Sequence, residues 1–382
     1  MAIVKWPARP RPAAAAPADD DDDTDTSSGS DGDGAASPQS LGDPIDGRYQ
    51  RLAGIGSGAF GHVYRAVDNR TGEIVAVKCL WKEHDNPEGI VLNWDLADEV
   101  NALEACRGHP HIVQMIDHGR RRDGAAAGTR PDAYIVMELV GPSLEHTICQ
   151  RGKDAGARRY PESEVRHLMR QLLSGVGRMH ELGLMHRDLK PSNVLVDGRG
   201  GLKVCDLGLA FTKEEAAPPY SNPIGSLPYN APELLLGSSR YDEMIDMWAL
   251  GCMMAQLLAG EQLFHGMSDE DMLVRIVDVL GMDDIAGWSG YDDSMIPKTL
   301  QSGRRRSRVL QMFPFLGLPK PLKSGLRHSR LRRMFALPGM AGGAGLPELS
   351  EAGFEVLSGL LTCNPEKRMT AAQALQHRWF PV

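Results

Sequence analysis

Two carboxylates, a carboxamide and an ammonium fall within one short segment, HRDLKPSNVLVDGRGGLKVCDLG, from His186 to Gly208. Asp188, Lys190 and Asn193 stand close together, and Asp206 follows between Cys205 and Leu207. An apolar core has no use for such a set, because buried polar groups cost free energy unless paired. Oxygen donors beside a cation suit magnesium and a phosphate instead. A glycine run points the same way. GIGSGAFGHV sets Gly56, Gly58 and Gly61 ahead of Val63, and glycines let a backbone turn lie against phosphate oxygens without Cβ clashes. A dinucleotide-binding turn has similar spacing but opens into a helix; here a strand-like HVYRAV follows. VAVK then ends on Lys78, with Glu99 on the next helical segment, an arrangement suited to an ion pair that holds phosphates.

The elements that must position these groups are legible from periodicity. RLAGIGSGAFGHVYRAV and EIVAVKCL read as strands separated by a TGE turn at Thr71 to Glu73. From about Trp94 a helix is predicted, with Leu96, Val100 and Leu103 on one face and Gly108 as its stop. HIVQMIDHG and AYIVMEL read as two further strands joined by a polar loop. After Gly141 the pattern turns helical. Val165, Leu168, Met169, Leu172, Leu173, Val176 and Met179 keep a 3.6-residue period, and IDMWALGCMMAQLLAG is apolar almost all round, as a central buried helix would be. A small β-rich part thus precedes a larger helical one.

Composition bounds the rest. The chain has 382 residues, 42% of them hydrophobic, enough for more than one lobe. A net charge of −8 gives no global pull toward nucleic acid or an anionic membrane. No apolar run is long enough to span a bilayer, and MAIVKWPARPRPAAAAP lacks the unbroken apolar stretch of a signal peptide. Six scattered cysteines form no metal-ligand spacing and are expected as reduced thiols in an intracellular protein. Residues 1–46 are Ala-, Pro- and Asp-rich and are predicted to form a disordered tail. Between Ser294 and Pro347 there is no Asp or Glu and many Lys and Arg, which predicts an exposed basic insertion within residues 283–347, either a solvated surface or a docking or import patch.

HRDLKPSN, CDLG, the APE of Ala231 to Glu233 and the apolar IDMWALG occur in the order seen in eukaryotic protein kinases, and the chain resembles that family from Tyr49 to Phe380. The resemblance implies an α+β, bilobal protein kinase fold: a small antiparallel β-sheet lobe with one helix (residues 47–139), then a larger, mostly helical lobe (residues 140–381). It implies ATP and Mg²⁺ in the cleft between the lobes. Asp188 would accept the proton of a substrate hydroxyl, Lys190 would steady the transferred phosphoryl group, and Asn193 and Asp206 would hold the metal. ATP would lie under Ile55, Gly56, Ser57, Gly58, Ala59, Phe60, Gly61, His62 and Val63. Ala76, Lys78 and the gatekeeper-like Met137 would line its pocket, with Glu138 to Val140 as hinge. Glu233 and Arg368 resemble the ion pair that anchors the activation segment, and Asp246 the acid that fixes the catalytic loop. LKP points to Ser/Thr hydroxyls of protein substrates.

GEQLFHGMSDEDMLVRIVDVLGM further resembles cyclin-dependent kinases, and the plant F-type group is the nearest comparison. This chain departs from that group at several places. Ala59 and Phe60 replace a phosphorylatable Thr-Tyr pair, and NWDLADEVNAL keeps Glu99 but little else of the cyclin-reading signature, which weakens a cyclin or other regulatory protein as a required partner. Ser221 stands where the activating Thr would be; Arg187 remains of three phosphate-binding arginines, with Asp98 and Phe211 in the other two places. Asn230 replaces an Arg, and Gly225 a residue often Val, near the site for the residue after the target, which puts proline direction in question. Leu207 replaces a Phe of similar reach. A catalytically weak or inactive kinase-fold scaffold is the alternative, yet it has no need of Lys78, Glu99, Asp188, Asn193 and Asp206 together. A dinucleotide-dependent oxidoreductase would leave HRDLKPSN unexplained. The expected location is the nucleus, the cytoplasm or both.

Overall fold

The computed structural model describes residues 45–58, 61–80, 96–120, 133–154, 159–212, 224–281, 284–285, 287–290, 329–335 and 347–380. Ala59, Phe60, Ser221, residues 121–132 and most of the basic insertion lie outside them.

Five strands, β1 (Tyr49–Gly58), β2 (Gly61–Asp68), β3 (Ile74–Leu80), β4 (Met115–Arg120) and β5 (Ala133–Glu138), form one antiparallel sheet in the order β1-β2-β3-β5-β4. Side chains alternate between the two faces of a strand, so β3 serves two environments. Val75, Val77 and Cys79 join Tyr134, Val136, Tyr49, Ala66 and Ile45 in a small core of their own. On the other face Ala76 pairs with Met137, and Lys78 lies between Val63 on β2 and Ile135 on β5. That face looks toward the main core, which includes Leu80, Ile135 and Met137. Gly61 lies so near β3 that a Cβ there would fall 2.0 Å from the Cys79 carbonyl oxygen, so no other residue fits.

Ile45 and Asp46, which the sequence reading assigned to the tail, pack on the small lobe. Ile45 is fully buried, and the Tyr134 hydroxyl donates to Asp46 Oδ2 at 2.9 Å. A single isoleucine among Asp, Pro and Gly carries no periodic signal, yet it caps the small core. The strand predicted from His111 also starts later, at Met115. Val113 N–H donates to the Val204 carbonyl and Val204 N–H to that of His111, both at 2.9 Å, which commits this stretch to the second lobe rather than the sheet.

The helices α1 (Leu96–Ala105), α2 (Leu144–Asp154) and α3 (Glu162–Glu181) follow. All seven periodic apolar residues of α3 are buried. One short hairpin, β7 (Val194–Val196) with β8 (Leu202–Val204), lies inside a second antiparallel pair, β6 (Leu184–Met185) with β9 (Phe211–Thr212), and the two frame the segment from His186 to Gly208. Then come α4 (Pro232–Leu235), α5 (Met244–Ala259), α6 (Asp269–Leu280), α7 (Ser329–Arg333), α8 (Glu351–Leu360) and α9 (Ala371–Leu375). Every residue of α5 from Met244 to Leu258 is buried, as its unbroken apolarity predicts.

The basic insertion is not exposed throughout. Leu331 and Phe335 are buried, Arg330 donates to the Asp278 carbonyl at 2.9 Å, and Arg332 pairs with Glu351 at 2.9 Å. Its charged residues mask an apolar pair that packs beneath them. Among the described residues no helix is long and apolar enough to cross a membrane.

All six cysteines are free thiols. Burial pushes Cys79 and Cys106 up to about 11 and Cys363 up to about 12, and it raises Cys205 and Cys252 as well. Cys149 is the exposed one. Because the thiolate is the nucleophile, brief iodoacetamide treatment of the folded protein at neutral pH should label Cys149 first. Mass spectrometry showing prompt labelling of the other five would contradict this packing.

Candidate active site

Lys78 leaves β3 toward the second lobe, where its ammonium meets Glu99 of α1 at 2.7 and 2.8 Å and Asp206 Oδ1 at 2.7 Å. Leu96, Val100, Ala102 and Leu103 bury the inner side of α1 and bring Glu99 inward with them. Burial alone would lower the Lys78 ammonium, but Glu99 and then Asp206 reverse this and raise it, so it stays charged. Burial opposes ionisation of Asp206 too, and Lys78 outweighs it, holding that carboxyl below its ordinary range. Glu99 is pushed up by burial, with Lys78 pulling it back.

Asp188 sits on the loop between β6 and β7. Its backbone is set by Asp246 near the start of α5, which accepts the His186 N–H at 2.8 Å and the Arg187 N–H at 3.0 Å. His180 of α3 adds a contact to the same carboxylate at 2.9 Å. Burial would raise Asp246, yet the His180 bond and these neighbours outweigh it and leave the group lowered, hence ionised. The loop needs this grip because Arg187 (φ 68°) and Asp206 (φ 61°) are left-handed without being glycine, a conformation that persists only where surroundings enforce it. The Asp188 N–H donates to His186 Nδ1 at 3.3 Å, so His186 Nε2 carries the proton given to the Cys205 carbonyl at 3.0 Å. That bond ties the Asp188 loop to the segment bearing Asp206.

The Asp188 carboxylate is held from three sides. Ser226 Oγ donates to Oδ1 at 2.8 Å, Asn193 Nδ2 reaches Oδ2 at 3.1 Å, and Lys190 pairs with Oδ2 at 2.8 Å. Lys190 also donates to Ser226 at 2.8 Å, which closes a ring of three side chains. The Asn193 amide nitrogen is further committed to the Asp188 carbonyl at 2.9 Å, so its oxygen is the end left for a ligand. With an Asp206 oxygen this gives two hard donors. Mg²⁺ suits such a partial set, since it is usually held by one or two carboxylates plus substrate phosphates rather than by a full protein cage. Among the described residues no group of three or more His, Cys, Asp or Glu could hold a metal.

Ala76 and Met137, both buried, face each other across β3 and β5 at the back of the cleft. Ile55, Gly56 and Ser57 lie exposed on β1 at its rim, and His62, Val63 and Val140 are half-buried. The Glu138 side chain turns away from the cleft. It accepts the Gln114 N–H at 2.8 Å and Lys203 of β8 at 2.7 Å, which ties the end of the sheet to the second lobe. Glu233 and Arg368 form a wholly buried bidentate pair at 2.7 and 2.9 Å, and Arg368 also donates to the carbonyls of Met244, Thr362 and Cys363. Arg187 Nε donates to the Leu209 carbonyl at 2.6 Å, and its guanidinium lies 4.7 Å from the centre of the Phe211 ring.

The model of the protein kinase domain matches residues 49–380. The chain belongs to the protein kinase family. A rice (Oryza sativa subsp. japonica) protein named as a cyclin-dependent kinase F-2 is 44% identical over 87% of this chain and 90% of its own. Cyclin-dependent kinase B2-2 of Arabidopsis thaliana is 31% identical over 87% of this chain and 92% of its own. Cyclin-dependent kinase G-2 of Oryza sativa subsp. indica is 37% identical over 87%, and this chain spans only 41% of that longer protein. This kinase is therefore a serine/threonine protein kinase of the cyclin-dependent-kinase-like branch.

Sequence reasoning paired Lys78 with Glu99 and set Asp206 beside Asn193 as metal ligands; the structure joins Lys78 to Glu99 and Asp188 to Lys190 and Asn193, and adds a direct contact from Asp206 to Lys78. It missed Ser226, His180 and Lys203. Each makes its contact 36 or more residues away in sequence, and no local motif announces a lone Ser, His or Lys.

Removing one partner of a buried pair leaves the other charge stranded, at a typical cost of about 3–5 kcal/mol. Arg368→Ala, which strands Glu233, should therefore lower the free energy of unfolding measured by urea denaturation by that order. A variant unfolding like the parent would show that the pair does not hold this kinase together.

Proposed function

We propose that this kinase transfers the γ-phosphoryl group of ATP to Ser or Thr hydroxyls of proteins, with Asp188 as the base that receives the hydroxyl proton. The observation that carries this is the state of the Asp188 carboxylate, held by Asn193, Lys190 and Ser226. Three donors fix its direction while leaving it able to accept a proton as the hydroxyl oxygen attacks. When bound, the magnesium nucleotide supplies the phosphoryl group and spreads its negative charge over metal and lysine. Asn193 and Asp206 are the residues that would hold the metal. Lys78, kept cationic by Glu99, would orient the phosphates, and Lys190 would steady the group in transit. Gly56, Gly58 and Gly61 would cover the phosphates, with Ala76, Val63 and Met137 around the base.

The reading extends to control. Glu99 reaches Lys78 through the buried side of α1, which favours a kinase that needs no cyclin. Arg187 is already committed to Leu209 and stacked on Phe211, which favours independence from phosphate on Ser221. Six unpaired thiols suit an intracellular location, nuclear or cytoplasmic.

Radiolabelled ATP transfer by the purified protein to a generic basic substrate tests the assignment. Asp188→Asn should lower the rate by about 10²–10⁴-fold, the contribution of a positioned base; a variant as active as the parent would remove Asp188 from that role. Ser221→Ala should keep most of the activity in the same assay, and near-total loss would refute phosphate independence.

A further inference from the structure

A cluster of charged side chains on the outer face of the small lobe takes no part in the chemistry above. Arg48 stands just before β1 and donates from all three of its guanidinium nitrogens. Nε and Nη2 meet the two oxygens of Asp68 at 2.9 and 2.6 Å, and Nη1 meets Asp117 Oδ2 at 2.6 Å. Tyr49, the fully buried first residue of β1, donates its hydroxyl to the same Asp117 oxygen at 2.6 Å. In the strand order β1-β2-β3-β5-β4, Asp117 of β4 thus grips the start of the strand at the opposite edge. Neighbouring strands lie about 4.8 Å apart, so a flat sheet would keep these two edges about 19 Å from each other. β1 reaches across because it bends. Its pairing with β2 slips twice, between Arg51 and Ala53 and between Gly54 and Gly56, and such bulges bend a strand and add twist.

β1 and β2 form the glycine-rich hairpin. Its tip is Gly58 opposite Gly61, and its open end is Tyr49 opposite Asp68. Strand pairing attaches it to the rest of the sheet only along β2, beside β3, a line about which the hairpin can roll toward or away from the cleft. The Arg48–Asp68 pair closes the open end. Asp117 ties that end to the far edge of the sheet, which fixes the roll. A loop already held in its binding conformation gains affinity, because less ordering entropy is lost when the ligand arrives. Building on the kinase reading above, we propose that Asp117 is a positioning residue for ATP. Through Arg48 and Tyr49 it holds the hairpin where Gly56, Gly58 and Gly61 meet the phosphates. It touches no substrate, so its effect falls on nucleotide affinity and not on the transfer step.

Steady-state kinetics of the full-length kinase on a generic basic substrate, with Mg²⁺-ATP varied, test this. Asp117→Ala leaves the Arg48–Asp68 pair in place and removes only the tie across the sheet. It should raise the KM for ATP about fivefold to tenfold, the scale of one charge-assisted hydrogen bond. kcat and the KM for the protein substrate should stay within about twofold of the parent, the pattern of lost ground-state binding. Asp117→Glu, which keeps the carboxylate, should restore most of the ATP affinity. Tyr49→Phe, which keeps its ring in the small core, should raise the ATP KM less, by about twofold to threefold, and it decides the matter if Asp117→Ala does not fold. An unchanged ATP KM in these variants, or Asp117→Glu as impaired as Asp117→Ala, would overturn the proposal. So would a fall in kcat with both KM values unchanged, which is what loss of folded enzyme alone produces. No transfer by the parent protein would instead overturn the kinase reading on which this rests.

Discussion

The Lys78 ammonium joins the two lobes across the cleft. Lys78 comes from the sheet, Glu99 from α1 and Asp206 from the far side of the cleft, and the three meet within 2.8 Å. A buried charge tolerates no slack, because losing either carboxylate would leave part of its desolvation uncompensated. The requirement therefore propagates outward. β3 must present Lys78 on its cleft face, which fixes the register with β2 and β5. The buried side of α1 must face inward, and Asp206 must take the left-handed backbone that aims it at the lysine.

The second constraint is the strained loop around Asp188. Arg187 is left-handed, and the loop pays for this through Asp246, which draws both neighbouring N–H groups onto one carboxylate. Asp246 holds its place because α5 is buried along nearly its whole length. A buried helix thus secures a polar loop. Through His186 and the Cys205 carbonyl the same network reaches the segment of Asp206, so the Asp188 and Asp206 carboxylates share one support.

The fold was legible wherever a period or a motif repeated a physical demand. The strand read over EIVAVKCL, the seven apolar positions of α3 and the unbroken apolarity of α5 all reappear as buried elements. The kinase motifs likewise identified the groups that meet at the site. What stayed hidden were single residues whose meaning depends on a distant partner. Ile45 is one apolar residue in a polar context, yet it closes the small core. Leu331 and Phe335 sit among arginines and still pack inward. Ser226 gains its significance only when the chain folds back on the Asp188 loop. This stretch read as strand because Ile112 and Val113 are apolar and β-branched, and backbone bonds of His111 and Val113 to Val204 took it elsewhere.

The outer face of the sheet has a consequence for motion. Its small core is separate from the main one, so tilting the whole sheet exposes no apolar surface on that side. The tilt has a pivot, because Lys203 and the Gln114 backbone pin Glu138 at the end of β5. The small lobe is in effect a stiff plate on a peg, and opening the cleft lifts its far edge, where the glycine-rich strand lies, by more than its near one.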